Sequence, residues 1–286
     1  MDRAGESASA YRRPLKGDTV TEISAGLVKE LRELTGAGMM DCKRALQETE
    51  GDLEAARILL REKGMAQAGK RAGRETTEGL VGVVVEDGAG SIVGVGCETE
   101  PVSKNDEFRS FAERVLRAVH ADGVAAADGF DEERLGLMGK LGENIVVVGA
   151  ERYDTGSTIV AYVHPPANKI GVLVELDGGD VALARQLAMH ISFAAPEWAT
   201  REEVPAETIE AERRVYLNSD ELLAKPEAAR DKIVDGMLRK RFFAASPGGV
   251  LADQAWIHDQ STSVGTALAA AGATLLAFKR ISVAGS

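Results

Sequence analysis

The sequence has few cysteines, few aromatic residues and no long apolar run. Its two cysteines among 286 residues, Cys42 and Cys97, form no CxxC pair, so we exclude a disulfide framework and expect a reducing, cytoplasmic compartment. Phe, Trp and Tyr together make up 5% of the chain, and aliphatic side chains must therefore form most of the core. No apolar run approaches the roughly 18 residues of a membrane span, so we expect no membrane protein.

Positive charge is also in short supply. Lys and Arg number 34 against 45 Asp and Glu, which gives a formal net charge of −11. Proteins that neutralise many phosphates usually carry clustered Lys and Arg and an excess of positive charge. The balance therefore argues against direct nucleic-acid binding and against binding to an anionic membrane surface.

Patterns for catalysis and metal binding are missing as well. The histidines stand far apart and none has HxxxH or HExxH spacing, so no metal site is expected. There is no GxSxG elbow, and spacing alone assigns no carboxylate pair to acid-base work. We therefore predict that the protein is not an enzyme and has no cofactor. The four histidines are His120, His164, His190 and His258.

Two glycine-containing motifs fall short of nucleotide-binding signatures. Gly64–Arg71 nearly matches GxxxxGK[ST], but Arg71 replaces the required hydroxyl residue and a charged helix precedes the motif. Gly94 and Gly96 lack the third glycine of a dinucleotide fingerprint, because Thr99 occupies its place. We interpret the first motif as a linker and the second as close packing in a β-hairpin. A nucleotide-dependent enzyme stays open as a third alternative.

The N-terminal part of the sequence predicts a tail, a small helical domain and a linker. Residues 1–20 scatter basic residues among Ser, Ala and Gly without the apolar centre of a secretory signal, and we predict a disordered tail. Residues 21–63 show three short helical patterns separated by glycines at Thr35–Gly38 and at Gly51, which predicts a three-helix domain. Residues 64–78 have too few apolar positions for a core helix and predict a linker that is partly helical.

From Gly79 the periodicity becomes that of β-strands. The apolar runs 80–85 and 92–97, separated by a turn over residues 87–90, predict a β-hairpin. The apolar positions between Phe108 and Val119 then fall at helical spacing, and Ser103 is the predicted cap of that helix. We expect the hairpin and the helix to pack together.

A second copy of this strand-and-helix pattern follows. Residues 170–175 resemble residues 93–98, and a helix is predicted over residues 181–194. The offset between the copies is 77 residues at Glu98 and Glu175, and it falls to 72 residues between matching alanines in the two helices. The pattern predicts a duplicated β-hairpin and helix.

The complete prediction is an α+β fold. A three-helix domain precedes a core of two related subdomains, the first over residues 79–155 and the second over residues 156–200 and 245–286, which include the C-terminal segment. Residues 201–244 predict two longer helices joined by a short polar connection, which implies antiparallel neighbours. We expect this helical hairpin to protrude from the core.

Two places stand out as candidates for function. Glu98–Phe108 is a polar loop between a strand and a helix, and loops on rigid scaffolds carry function more often than core positions do. A simple turn with a proline and a serine cap is the alternative interpretation. His190 falls on the flank of the apolar stripe of helix 181–194, where we expect it to be partly exposed beside the core.

Two stretches resemble a known family. Residues 31–46, LRELTGAGMMDCKRAL, resemble the N-terminal signature of the bacterial elongation factor Ts family. Residues 97–104, CETEPVSK, resemble its second signature, whose usual form contains Thr-Asp-Phe-Val. Further stretches in the family's order extend the resemblance from about residue 21 to residue 283. They are Gly142–Ile145, Ala188–Ile191, Gln254–Ile257 and Thr262–Gly265.

The resemblance implies a guanine-nucleotide exchange factor for elongation factor Tu, the GTPase that delivers aminoacyl-tRNA. It also implies that the three-helix domain is UBA-like, meaning similar to ubiquitin-associated domains. The exchange factor binds its partner in the GDP-bound or nucleotide-free state and releases GDP by disturbing magnesium and phosphate contacts. By position, the implied partner-binding residues are Met39, Met40, Thr99, Glu100, Pro101, Val102, His190, Ile257 and His258.

Within this set, Glu100 and Pro101 would form a loop that enters the partner near its magnesium site. His190 would support displacement of the partner's phosphate loop, and Ile257 with His258 would pack against the GTPase domain. Pro101 replaces the family's phenylalanine, so we expect weaker exchange through this loop.

Other functions and assemblies stay open at this point. The main alternative is a noncatalytic UBA-like scaffold that binds another partner. A homodimer through the helical hairpin or the core is also open.

Overall fold

The computed structural model describes residues 23–284, so the predicted tail 1–20 lies outside the described residues. The chain divides into two compact units, with the boundary between Lys63 and Gly64. Helices form the first unit, and the second combines helices with three antiparallel sheets. The predicted α+β fold class is confirmed.

The first unit contains the predicted helices. They are α1 (Ala25–Thr35), α2 (Met39–Glu48) and the start of α3 (Leu53–Arg71). Ser24 caps α1, because its Oγ accepts a hydrogen bond of 3.1 Å from the backbone N–H of Leu27, and Gly36 ends that helix in the left-handed conformation. The core consists of small and aliphatic side chains, as the low aromatic content requires. Its buried members are Val28, Leu31, Cys42, Ala45, Leu46 and Ala56.

The predicted linker is helical over its first half. Helix α3 continues to Arg71, so the phosphate-loop look-alike at Gly64–Arg71 lies within a helix. A phosphate-binding loop of that type follows a strand and opens a helix. Gly64–Arg71 is therefore not a phosphate-binding loop of this type.

The second unit opens with a three-stranded antiparallel sheet in the order β1-β2-β3. Its strands are β1 (Glu78–Glu86), β2 (Ala89–Cys97) and β3 (Ile145–Tyr153). The β1–β2 turn comprises Asp87 and Gly88 alone, and both residues have positive φ, 52° and 79°. An Asp-Gly pair favours such a turn between twisted strands, which makes the turn two residues shorter than predicted.

A second three-stranded antiparallel sheet has the order β4-β5-β8. It is built from β4 (Thr158–Val163), β5 (Ile170–Asp177) and β8 (Thr274–Ser282). In each half of the core, a helix follows the central strand. These helices are α5 (Asp106–Asp122), after the one-turn helix α4 (Glu100–Ser103), and α7 (Val181–Ala194).

The two sheets pack face to face, with helices on their outer sides. α5 and α6 (Asp131–Leu141), which a 3-10 turn over residues 124–130 connects, cover the first sheet. α7 and α11 (Val264–Ala270) cover the second sheet. The inner faces share one cluster of side chains. Its buried members are Val81, Ile92, Leu173, Ile281 and Val283.

Glycines allow the close approach of the two sheets. A Cβ at Gly94 would lie 2.4 Å from Cγ2 of Ile281, and one at Gly171 would lie 2.5 Å from Cγ1 of Val81. Close packing is thus the reason for Gly94, as predicted. Its nearest neighbour belongs to the second sheet rather than to the hairpin, which the sequence interpretation did not foresee.

The predicted helical hairpin contains α8 (Ala206–Leu217), the one-turn α9 (Asp220–Leu223) and α10 (Glu227–Met237), which continues as a π-helical turn to Phe243. Arg213 on α8 donates a hydrogen bond of 2.6 Å to Asp235 on α10. A small core holds the segment together. Its buried members are Val204, Leu222, Val234, Leu238, Phe243 and Val250.

The C-terminal region adds a 3-10 turn over residues 251–253 and a short two-stranded sheet of β6 (Ala255–Trp256) and β7 (Asp259–Ser263). A further 3-10 turn, before the helical hairpin, spans Arg201–Glu203.

Between residues 23 and 284, no helix combines the length and the apolar character needed to span a bilayer.

Candidate functional site

The 98–105 segment, which connects β2 to α5, is more ordered than the loop that the sequence predicts. Glu100–Ser103 form the single turn of α4. Asn105 caps α5, because its Oδ1 accepts hydrogen bonds from the N–H groups of Glu107 at 2.9 Å and Phe108 at 3.2 Å. The predicted cap, Ser103, is wrong. Its hydroxyl instead donates to the carbonyl of Glu100 at 2.8 Å, since Ser103 lies two residues before the observed cap.

Glu143 anchors the start of the 98–105 segment from 45 residues away in sequence. Its Oε2 accepts from the N–H of Glu98 at 3.0 Å and from the N–H of Thr99 at 2.9 Å. The Thr99 hydroxyl donates to the other oxygen, Oε1. Hydrogen bonds to an ionised acceptor are among the strongest in proteins. One carboxylate therefore fixes two consecutive residues at the base of the segment.

Contacts from Glu98 to Asn144 and Arg74 also hold the start of the 98–105 segment. The carboxylate of Glu98 accepts from the N–H of Asn144 at 2.6 Å and forms an ion pair of 3.4 Å with Arg74. The buried amide of Asn144 donates to the carbonyl of Arg74 at 2.7 Å. Gly142 ends α6 with φ of 78°, which turns Glu143 and Asn144 towards the segment. The 98–105 segment is thus tied to two other parts of the chain.

The tip of the segment presents a carboxylate and a proline ring to solvent. The Glu100 side chain is 65% exposed and pairs with Lys104 at 2.7 Å. The hydrogen bond and charge of Lys104 lower the pKa of Glu100, so the carboxylate stays ionised at neutral pH. Pro101 and Thr99 are exposed, whereas Val102 is half-buried. Proline suits the first turn of a helix, where its missing N–H costs nothing.

Cys97, next to the segment, is a buried structural residue. Its thiol donates to the carbonyl of Thr99 at 3.4 Å. Burial raises the pKa of the Cys97 thiol to about 12, with a further contribution from the charge of Glu143. A nucleophilic cysteine needs a lowered pKa and access to solvent. Cys97 therefore packs and positions but does not react.

His190 is fully buried, and the expectation that it is partly exposed was wrong. The 254–258 segment covers it from 64 residues away. The ring stacks on Trp256 at 5.3 Å between centroids. Its Nδ1 accepts from the N–H of Ile257 at 3.3 Å, and its Nε2 lies 3.0 Å from Oε1 of Gln254.

The hydrogen bonds of Gln254 define the protonation state of His190. The Gln254 amide nitrogen donates to the carbonyls of Ala245 at 2.8 Å, Ala194 at 3.3 Å and Gly248. Its oxygen therefore faces the imidazole, so Nε2 of His190 must carry the hydrogen while Nδ1 accepts. Burial lowers the pKa of His190. The ring is neutral and acts as a fixed joint between α7 and the 254–258 segment.

Ile257 and His258 lie beside this joint and are more exposed. The imidazole of His258 packs against Trp256 at 4.9 Å between centroids, and its Nε2 lies 3.2 Å from the carbonyl of Gln186 on α7. The structure thus brings His190, Ile257 and His258 together, although the resemblance implies different roles for His190 and for the other two residues.

The remaining predicted residues lie elsewhere. Met39 and Met40 begin α2 in the first unit, and both are exposed. Thr99, Glu100, Pro101 and Val102 lie together in the 98–105 segment of the second unit. The predicted set therefore comprises three groups on three local structures.

The sequence interpretation missed several residues that shape these groups. Glu143 and Gln254 act over long sequence separations, and no local pattern reveals their roles. Phe193 was also missed. It lies four residues after Met189 on α7, outside the apolar stripe that faces the core, and it is 75% exposed.

The described residues contain no group of three or more His, Cys, Asp and Glu side chains arranged to hold a metal ion. The geometry offers exposed surfaces supported by hydrogen bonds between segments that are far apart in sequence. Such surfaces suit binding to a macromolecule.

Comparisons with known proteins agree with the sequence resemblance. A family model described as elongation factor TS matches residues 98–285. The elongation factor Ts of Hydrogenovibrio crunogenus is 39% identical over 274 residues, which cover 91% of each chain. Those of Ruegeria pomeroyi and Alkalilimnicola ehrlichii are 41% and 40% identical and cover 91% of this chain and 92% of their own. The chain therefore belongs to the elongation factor Ts family and has a role in translation elongation.

Proposed function

We propose that the protein is a guanine-nucleotide exchange factor that binds elongation factor Tu, in its GDP-bound or nucleotide-free state, in the cytoplasm. It promotes GDP release by disturbing the partner's contacts to magnesium and phosphate, and it makes or breaks no covalent bond. The observation that carries the proposal is the exposed Glu100–Pro101 tip on a base held by Glu143 and Glu98.

A held carboxylate is suited to disturbing a magnesium site. Glu100 is an exposed carboxylate whose pKa Lys104 lowers further, and carboxylate oxygens are ligands that Mg²⁺ accepts. The base of the segment is ordered in advance, so less conformational entropy is lost when the tip enters a partner. The charge of Glu100 and the ordered base of the segment both favour a tip that competes with the partner's own ligands for Mg²⁺.

The second contact group acts through a prepared surface. His190 is buried and neutral, so we assign it a positioning role in which it fixes the backbone of Ile257. Ile257 and His258 then form the face that packs against the GTPase domain. This assignment refines the role that the resemblance implies for His190, because a buried ring reaches the partner only through its neighbours.

Met39 and Met40 supply the third contact group. Both side chains are exposed at the start of α2, and the flexible, polarisable methionine side chain adapts well to an apolar partner surface. We propose that this pair binds the GTPase domain of elongation factor Tu from the first unit.

Release of a fluorescent GDP analogue from the cognate elongation factor Tu, measured by stopped flow, tests the proposal. We expect faster release when the chain is added, and a smaller acceleration with Glu100→Ala. By reciprocity, GDP should weaken the binding of the chain to elongation factor Tu by the same factor as the chain weakens GDP binding. Unchanged release at saturating chain would contradict the exchange function.

A control addresses the nucleotide-dependent alternative. Calorimetry with GDP and with ATP should detect no binding to the isolated chain. Direct binding of either nucleotide would favour an activity of the chain itself over exchange on a partner.

A further inference from the structure

Helix α7 exposes an apolar pair at its C-terminal end. Phe193 is 75% exposed and Met189 is 36% exposed, and residues four apart on a helix are neighbours on one face. The opposite side of α7 is buried against the second sheet and the 254–258 segment. Its buried members are Ala184, Leu187, Ala188, His190, Ile191, Ser192 and Ala194. The pair therefore lies on the outward face of a helix that is otherwise well packed.

Phe193 differs from the other described aromatic residues in its exposure to solvent. Of the aromatic side chains described in residues 23–284, it alone is exposed. A solvated phenylalanine forgoes the free energy of burying a large apolar surface. Aromatic residues and methionine are also the types enriched where protein interfaces are fully buried. In a chain with only 5% aromatic residues, this placement indicates a contact surface.

The apolar pair lies on the same helix that Ile257 and His258 contact through His190 and Gln186. His258 lies 3.2 Å from the carbonyl of Gln186, one turn before Met189 and His190 on the same helix. Arg280 from β8 donates to the carbonyl of Ser192 at 3.3 Å, which ties the end of α7 to the sheet below. Phe193 is thus displayed from a fixed backbone next to a proposed contact group.

We propose that Phe193, supported by Met189, is an apolar anchor that inserts into an apolar depression on elongation factor Tu. It supplies the aromatic contact that Pro101 does not provide in the 98–105 segment. This inference rests on the exchange function proposed above and names a specificity-determining residue for it. The occupant of this face is the same partner that binds Ile257 and His258, because those two residues contact α7 at His190 and Gln186, within about two turns of Phe193.

The affinity of the full chain for nucleotide-free elongation factor Tu tests the anchor. Phe193→Ala should weaken binding about 30-fold, as expected for an aromatic residue at the centre of an interface. Val181→Ala is the matched control, because Val181 is 65% exposed on the same helix but lies about 18 Å away along its axis. We expect less than a threefold change for the control. Equal thermal melting of all three proteins confirms that folding is intact.

The outcomes separate the anchor from the exchange function. If the unmodified chain accelerates GDP release and Phe193→Ala binds as tightly as the unmodified chain, the anchor is overturned and exchange stands. If the unmodified chain neither binds elongation factor Tu nor accelerates release, both proposals fail. If sedimentation shows a dimer of the unmodified chain that Phe193→Ala converts to a monomer, the face binds a second copy and the anchor is overturned.

Discussion

The two halves of the core differ in the length of the connection between the central strand and the helix that follows it. In the first half, eight residues from 98 to 105 link β2 to α5, whereas in the second half only residues 178–180 link β5 to α7. Gly178 and Gly179 both have positive φ, 72° and 70°, and Asp180 caps α7 through the N–H of Leu183 at 2.8 Å. The five-residue difference equals the fall in the repeat offset from 77 to 72.

The comparison shows where each half can carry function. The first half places its candidate site in the extra residues of the connection, which extend the chain beyond the sheet. The second half has no such residues, so its candidate site lies on the helix itself and on the 254–258 segment that covers it. Ionised side chains hold the first site, and neutral buried groups hold the second. Substitutions should therefore affect the two halves in different ways.

The largest effect should come from removing the buried joint of the second half. His190→Ala leaves the oxygen of Gln254 and the N–H of Ile257 without partners and opens a cavity beneath Trp256. Each unpaired buried polar group costs about 1–3 kcal/mol, so we expect the free energy of unfolding to fall by about 3 kcal/mol. Urea denaturation followed by circular dichroism measures this change.

His258→Ala provides the control for that measurement. His258 is exposed, and surface substitutions usually stay within about 0.5 kcal/mol. Equal losses for the two histidines would contradict the contrast between a buried side chain at position 190 and an exposed one at position 258.

The second largest effect should come from the anchor of the first half. Glu143→Ala removes three hydrogen bonds to Glu98 and Thr99 and frees the base of the 98–105 segment. Hydrogen bonds to charged groups contribute about 1.5–3 kcal/mol, so we expect a loss of about 2 kcal/mol in stability. The rate of GDP release from elongation factor Tu should fall about tenfold, which corresponds to about 1.4 kcal/mol in the barrier.

Glu133→Ala is a suitable comparison, because Glu133 is also a carboxylate with a defined partner, Arg114, but lies on α6 away from the segment. Exchange by this variant should match that of the unmodified chain. If Glu143→Ala exchanged nucleotide at the full rate, a preordered segment would not be required for function.

His190 and Glu143 also show what the sequence can and cannot predict. Asp87-Gly88 and the glycine breaks of the first unit have local signals, so the hairpin turn and the short helices were predictable. The burial of His190 and the role of Glu143 depend on contacts across 64 and 45 residues. Helical spacing describes one helix and contains no information about the segment that later covers it. The resemblance supplied the proposed contact groups, but the residues that support them could not be predicted from the sequence.

A smaller effect is expected from restoring the aromatic residue at the tip of the first half. Pro101→Phe adds a large apolar side chain to an exposed position, and an aromatic anchor can raise the affinity of an interface substantially. We expect GDP release at subsaturating chain to increase about tenfold, measured by stopped flow. The gain should be larger in a Phe193→Ala background, where the proposed second anchor is missing. No gain, with a native rate that is already high, would contradict the idea that Pro101 weakens the segment.

The smallest effect concerns two glutamates at matching positions of the repeat. Glu98 in the first half is paired with Arg74 and Asn144, whereas Glu175 in the second half is buried and its Oε1 has no hydrogen-bond partner among the described residues. Burial, with a contribution from Asp154, raises the pKa of Glu175. Its folded-state pKa then exceeds the unfolded value, so folding favours the protonated form and stability is lost as pH rises through the folded pKa.

Glu175→Gln should remove this loss because the amide never ionises. We expect the variant to be more stable than the unmodified chain at pH 8, where the carboxyl of Glu175 would carry a buried charge, and the difference should vanish towards pH 4. Glu98→Gln should instead destabilise the protein at pH 8, since it weakens a paired carboxylate. Urea denaturation of the three proteins between pH 4 and pH 8 measures both differences. Equal signs for the two substitutions would mean that the matching glutamates lie in equivalent electrostatic surroundings, and the contrast between the paired Glu98 and the unpaired Glu175 would be wrong.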